Sequence, residues 1–227
     1  MRYDVLDAPD FGLLRITLER AGERIVAESG AMVAMDAKIK TETSMRGGVL
    51  AAAKRKVLGG ESLFQNTFIA EADQQRLFLA PAPEGDLRAL QLAAGQQFFL
   101  QSGAYVAHVG EELKLDTQWG GVRSFFGGLG FFMLKLTGPG TVFYASYGAV
   151  HPVAVSGNYI CDTGHIVGFG SELTYTIQKF GGYKGLFFSG EGLVCNFSGQ
   201  GQLLLQTRNP ASLVGFLNPY RRVQSRS

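Results

Sequence analysis

Three histidines, two cysteines, three serine–glycine pairs and two matched glutamates are the residues of this chain whose types could do chemistry. A metal site needs clustered His, Cys or carboxylate ligands. His108, His151 and His165 are far apart in sequence and form no His-x-His pair. Cys161 and His165 are four residues apart, but Gly164 between them signals a turn, which breaks the strand alternation that would put both on one face. Ser29, Ser102 and Ser156 are each followed by glycine (Gly30, Gly103, Gly157), but no acid or histidine recurs near all three. A nucleophilic serine requires a base, so the repeated pair reads as a turn former. Glu61 and Glu191 occur in matching Gly-Glu contexts, and a repeat separates matched carboxylates rather than pairing them. Gly127–Gly130 and Gly168–Gly170 lack the Gly-Lys-Ser/Thr ending of a phosphate-binding loop. No catalytic, cofactor-binding or metal-ligating residue is assigned, and no cofactor is expected.

The elements that would carry these residues are strands. The chain has 227 residues, of which 46% are hydrophobic and 31 are glycine, with a net charge of +2. That is enough apolar material for a real core and excludes intrinsic disorder. The weak charge argues against a strongly basic nucleic-acid binder. Two cysteines are too few for a disulfide scaffold, and Cys161 and Cys195 lie in apolar runs as reduced core thiols. No apolar run reaches the ~18 residues of a membrane span, and the first residues are too charged for a signal peptide. The expected location is cytoplasmic, with membrane association as the variant.

An internal repeat organises the chain. Ser29-Gly-Ala-Met-Val-Ala recurs as Ser102-Gly-Ala-Tyr-Val-Ala and as Ser156-Gly-Asn-Tyr-Ile-Cys, preceded by Gly22, Gly95 and Gly148. Ser29 and Ser102 each stand 18 residues before a double glycine; Ser156 stands 25 before one, which implies an insertion in the third copy. Lys38–Thr43, Glu112–Thr117 and Glu172–Ile177 alternate apolar with polar at period two. Short strands with glycine turns at this spacing predict an all-β fold. Two segments read as helices: Leu50–Leu58, rich in alanine, and Asn209–Pro219, with Asn209 as N-cap and Pro210 at the first helical position.

The Ser-Gly-Ala-Met run, Gly60-Glu-Ser-Leu-Phe-Gln-Asn-Thr-Phe and Asp162-Thr-Gly-His-Ile-Val-Gly-Phe resemble the bacterial relatives of the yeast mitochondrial biogenesis protein named for altered inheritance of mitochondria, from about Tyr3 to Arg208. The resemblance implies three tandem shortened double-stranded β-helix units, similar to the tryptophan RNA-binding attenuation protein. It also implies three chains assembled as a nine-unit ring; fungal relatives are linked to inner-membrane organisation. On this reading residues 1–81, 82–146 and 147–208 are the β-units, and 209–227 a helix with a basic tail.

The paired phenylalanines Phe125-Phe126, Phe131-Phe132 and Phe187-Phe188 are the candidate contact surface. Adjacent strand residues face opposite ways, so one of each pair must meet something outside a single core. A subunit interface is the first expectation, a peripheral membrane or protein partner the second. Lys54-Arg55-Lys56 and Arg221-Arg222 are not repeated in all copies, which argues against RNA read with the period of a ring. The expected function is that of a non-enzymatic structural or interaction protein forming a homotrimeric ring. The alternative is a ring that takes a small ligand or RNA in clefts between its units.

Overall fold

The alternation read from the sequence becomes three curled antiparallel sheets in a computed structural model, which describes residues 1–45, 64–117, 133–179 and 193–221. In the first sheet the order is β1 (Arg2–Leu6), β2 (Leu13–Leu18), β7 (Gln75–Leu79) and β4 (Met32–Met35). The second runs β5 (Ile39–Met45), β6 (Phe64–Ala70), β3 (Arg24–Glu28), β10 (Tyr105–Val109), β13 (Gly140–Ala145) and β8 (Leu87–Leu92). The third runs β11 (Lys114–Thr117), β12 (Met133–Thr137), β9 (Gln97–Gln101), β15 (Ile166–Gly170), β17 (Leu193–Gln206) and β14 (Val150–Asp162), with β16 (Thr174–Lys179) also on β17. The chain is therefore all-β apart from 3₁₀ turns and one short helix, α1 (Pro210–Leu217), among the described residues.

Period-two patterning buries one face of each strand. In β2, Leu14, Ile16 and Leu18 are fully buried while Arg15 and Thr17 are not. Three apolar clusters result. The first holds Leu14, Ile16, Phe68 and Phe143; the second Leu100, Tyr105, Leu134 and Val142; the third Phe169, Cys195, Phe197 and Leu203.

One ladder scheme recurs along the chain. β7 lies between β2 and β4 while β6 lies between β3 and β5. β13 lies between β8 and β10 while β12 lies between β9 and β11. Further on, the later half of β17 lies between the first half of β14 and β15, and its earlier half between the second half of β14 and β16. The blocks are joined by two further ladders, β3 on β10 and β9 on β15. Close backbone approach locks the block starts: Gly85 bridges Gly148, Asp86 N–H donates to the Gly148 carbonyl at 3.0 Å, and a Cβ on Gly85 would strike the Ser146 carbonyl oxygen.

The third serine–glycine pair is not in a turn. Ser29 and Gly30 form the turn after β3, and Ser102–Ala104 a 3₁₀ turn after β9, whereas Ser156 and Gly157 lie inside β14. The counterpart turn is Thr163–His165. Each of the three turns leads into a strand with a register shift at the same step, between Met32 and Ala34, Tyr105 and Ala107, and Ile166 and Gly168. Counted from Thr163, the distance to the double glycine at 181–182 is 18 residues, as from Ser29 and Ser102, and the expected insertion disappears. The physical reason is at Gly157, whose φ of +97° only glycine takes easily; it faces Gly199 across the ladder. Two facing glycines let β14 and β17 bend and continue where the other blocks break into separate strands around Gly22 and Gly95.

The helix predicted from Asn209 forms, and the Asn209 side chain accepts a hydrogen bond from Ala211 N–H at 2.9 Å. It ends at Leu217, and Pro219 lies in the 3₁₀ turn Asn218–Tyr220 that follows. The helix expected over 50–58 lies outside the described residues, as do Phe125, Phe126, Phe131, Phe132, Phe187 and Phe188.

Candidate functional site: two open strand edges

The side chains with chemical potential are tied into the framework. Tyr105 and His108 are buried at the join of β3 and β10. The Tyr105 hydroxyl lies 2.7 Å from His108 Nδ1 and 3.2 Å from the Val26 carbonyl oxygen, and Gln65 Nε2 donates to it at 3.2 Å. Such a network fixes the register of two strands, because an unmet polar group there would be costly. His165 Nδ1 sits 2.7 Å from the Gln206 carbonyl oxygen, and Gln206 Nε2 donates to the Gly164 carbonyl at 3.0 Å, clamping the turn before β15. His151 is exposed on β14. Among the described residues no three His, Cys, Asp or Glu side chains come together as metal ligands would.

Cys161 and Cys195 are directly opposite each other on β14 and β17 and are not bonded. Burial pushes both thiols up to about 12, with Asp162 adding to the rise at Cys161 and Cys161 to that at Cys195. Thiolate is the reactive form, so this environment quenches nucleophilicity.

The exposed apolar side chains are concentrated elsewhere. β4 is exposed at all four residues, with Met32 at 43%, Val33 at 58% and Met35 at 39%. Its counterparts after the other two turns, β10 and β15, are buried almost throughout. The second half of β14 is exposed from Ser156 to Ile160, with Ile160 at 55%, whereas its counterparts β3 and β9 bury alternate residues. The difference has one cause. β10 and β15 are covered by β3 and β9, while among the described residues β4 pairs only with β7, and the second half of β14 only with β17. Among the described residues these two edges thus lack the covering ladder that β10 and β15 receive. An exposed apolar edge presents unpaired N–H and C=O groups to any matching strand.

The Asp36 carboxylate closes the end of β4. It accepts from Arg76 N–H at 2.8 Å and from the Arg76 guanidinium at 3.1 Å, and this partner holds its carboxyl below the usual range. Sequence reasoning placed the contact surface on phenylalanine pairs, which lie outside the described residues, and did not single out the exposed apolar side chains of β4 and β14. The available signal was Met32, Val33 and Met35 beside Tyr159 and Ile160, apolar side chains on both faces of strands at opposite ends of a repeat.

Curled antiparallel sheets with a recurrent ladder scheme, and two apolar strand edges that have no further partner strand among the described residues, define an all-β protein. Comparison with known proteins places it further: the chain belongs to the mitochondrial biogenesis AIM24 family, whose model matches residues 3–208. It is 29% identical to an uncharacterised protein of Streptococcus pyogenes serotype M6, over 97% of this chain and 91% of that one. The crystal structure of a Streptococcus pyogenes protein is similar with a TM-score of 0.78 and 28% identity, covering 97% of this chain and 99% of the other. No helix among the described residues is long and apolar enough to cross a membrane.

Proposed function

We propose that this chain is a non-enzymatic interaction protein whose three ladder blocks are copies of one unit, and that it assembles head to tail with copies of itself into a closed β-rich ring. The observation that carries this reading is the complementarity of the two open edges. β3 on β10 and β9 on β15 show how one block receives the next, with Ala27 opposite Ala107 and Leu100 opposite Gly168. Transferring that register to the free edges sets Cys161 of one copy opposite Ala34 of the next, and Ile160 opposite Met35. The apolar side chains left exposed on each edge would then cover one another. A junction between two different surfaces is heterologous, and it closes into a ring when its rotation allows. Three chains to the ring is the number the family resemblance implies.

Gel filtration coupled to light scattering tests the assembly. The expected species at micromolar concentration is three times the 24.5 kDa chain. A stable monomer overturns the reading, and a dimer overturns the three-chain ring. The register has its own test. Met35→Cys combined with Ile160→Cys should give covalent multimers on mild oxidation, since a cross-strand pair lies within disulfide reach. Either substitution alone should not. Equal cross-linking by the single variants would refute the register.

A further inference from the structure

The helix α1 carries a second exposed apolar surface. α1 buries none of its eight residues, and Leu213, Val214, Phe216 and Leu217 are 38%, 55%, 67% and 50% exposed. At about 100° per residue these four side chains share an arc of roughly 160°, with Ala211, Ser212 and Gly215 behind them. Tyr220 follows at 75% exposure, its ring 5.8 Å from that of Phe216. The base of the helix is firmly held. Asn209 caps it and packs against Gly164, and Arg208 N–H donates to the Tyr147 carbonyl at 3.2 Å. The helix is thus a rigidly rooted apolar projection and not a frayed end.

The charged residues next to the helix in the sequence are all basic. Arg208 precedes it and Arg221 follows, Arg222 and Arg226 come next in the sequence, and no Asp or Glu occurs after Glu191. The helix also has no counterpart after β7 or β13, so the repeated junction between blocks makes no use of it.

We propose that α1 with Tyr220, Arg208 and Arg221 is a docking element for an anionic lipid surface. Bulky apolar side chains enter the acyl boundary, Tyr220 sits at headgroup level, and the arginines meet lipid phosphates. This is the chemistry of an interfacial helix flanked by cations. An eight-residue helix binds such a surface weakly alone, and several copies on one assembly would strengthen the attachment by avidity. The proposal concerns a helix rooted on the turn that follows β14 and does not depend on ring closure.

Sedimentation with vesicles tests it, using phosphatidylglycerol mixed with phosphatidylcholine against phosphatidylcholine alone. The full chain should bind the anionic vesicles and lose binding several-fold as salt rises from about 0.1 to 0.5 M. Leu213→Ser with Phe216→Ser should lower the partition coefficient about tenfold or more. Arg208→Gln with Arg221→Gln should lower it several-fold on anionic vesicles alone. Light scattering and thermal melting on the same variants keep assembly and folding in view. The proposal stands if binding falls while size and melting temperature hold. It is overturned if the unmodified chain ignores anionic vesicles or the helix variant binds them equally. It is also overturned if the helix variant changes oligomer size, because α1 would then belong to a contact between copies. A monomer that still binds vesicles through α1 would refute the ring and leave this inference intact.

Discussion

At Cys161 and Cys195 the burial of a polarisable side chain decides its chemistry. Both thiols are pushed to about 12. With such values only on the order of one part in 10⁴ is thiolate at pH 8. Native protein at pH 8 should therefore react with iodoacetamide far more slowly than the same protein in guanidinium. The native rate should rise about tenfold per pH unit up to pH 10. Rapid modification of native protein at pH 8 would contradict the buried placement. The same shift has a sign for folding. Both folded values lie above the unfolded thiol value of about 8.5, so the burial contribution is present below that pH. It is lost as pH rises from 8.5 toward 12. Asp36 works in the opposite sense. Its carboxyl is held low by Arg76, so that contribution is present above the unfolded carboxylate value and declines as pH falls through the folded one.

Strands are where sequence and structure agree most closely, because alternation at period two needs only local information. The helix at Pro210–Leu217 was legible for the same reason: its cap and first-turn proline are adjacent. The third turn was placed seven residues early because Ser-Gly recurs at 156–157, where Gly157 bends β14. The true turn at Thr163 replaces serine by threonine and alanine by histidine. Pairing partners between blocks, such as β9 with β15, are non-local and leave no periodic mark. At that junction Phe169 meets Phe99, Tyr175 and Phe197 with ring centroids 5.2, 5.2 and 5.0 Å away. Offset and edge contacts of this kind add to area burial. Phe169→Ala should cost about 3–5 kcal/mol, measured by urea unfolding. A loss below about 1 kcal/mol would mean that the β9–β15 junction does not rest on this cluster.

For the molecule as a whole, the proposed head-to-tail contact couples stability to concentration. Anything that binds the folded form alone raises the midpoint of unfolding by mass action. The melting temperature should therefore climb as chain concentration rises from about 0.1 to 10 µM. A midpoint constant across that range would speak against a reversible assembly. The two edges also give the chain a direction, since β4 and the second half of β14 differ in sequence and in hydrogen-bonding partner. On that reading, each molecule has one edge that accepts and one that is accepted, so a defect on one side leaves the other competent. A chain impaired only at β4 would still cap the β4 edge of a sound neighbour through its intact β14 and hold that ring open. In a cell expressing both, the damaged copy would behave as a poison rather than as a simple loss, and its effect would scale with its share of the mixture.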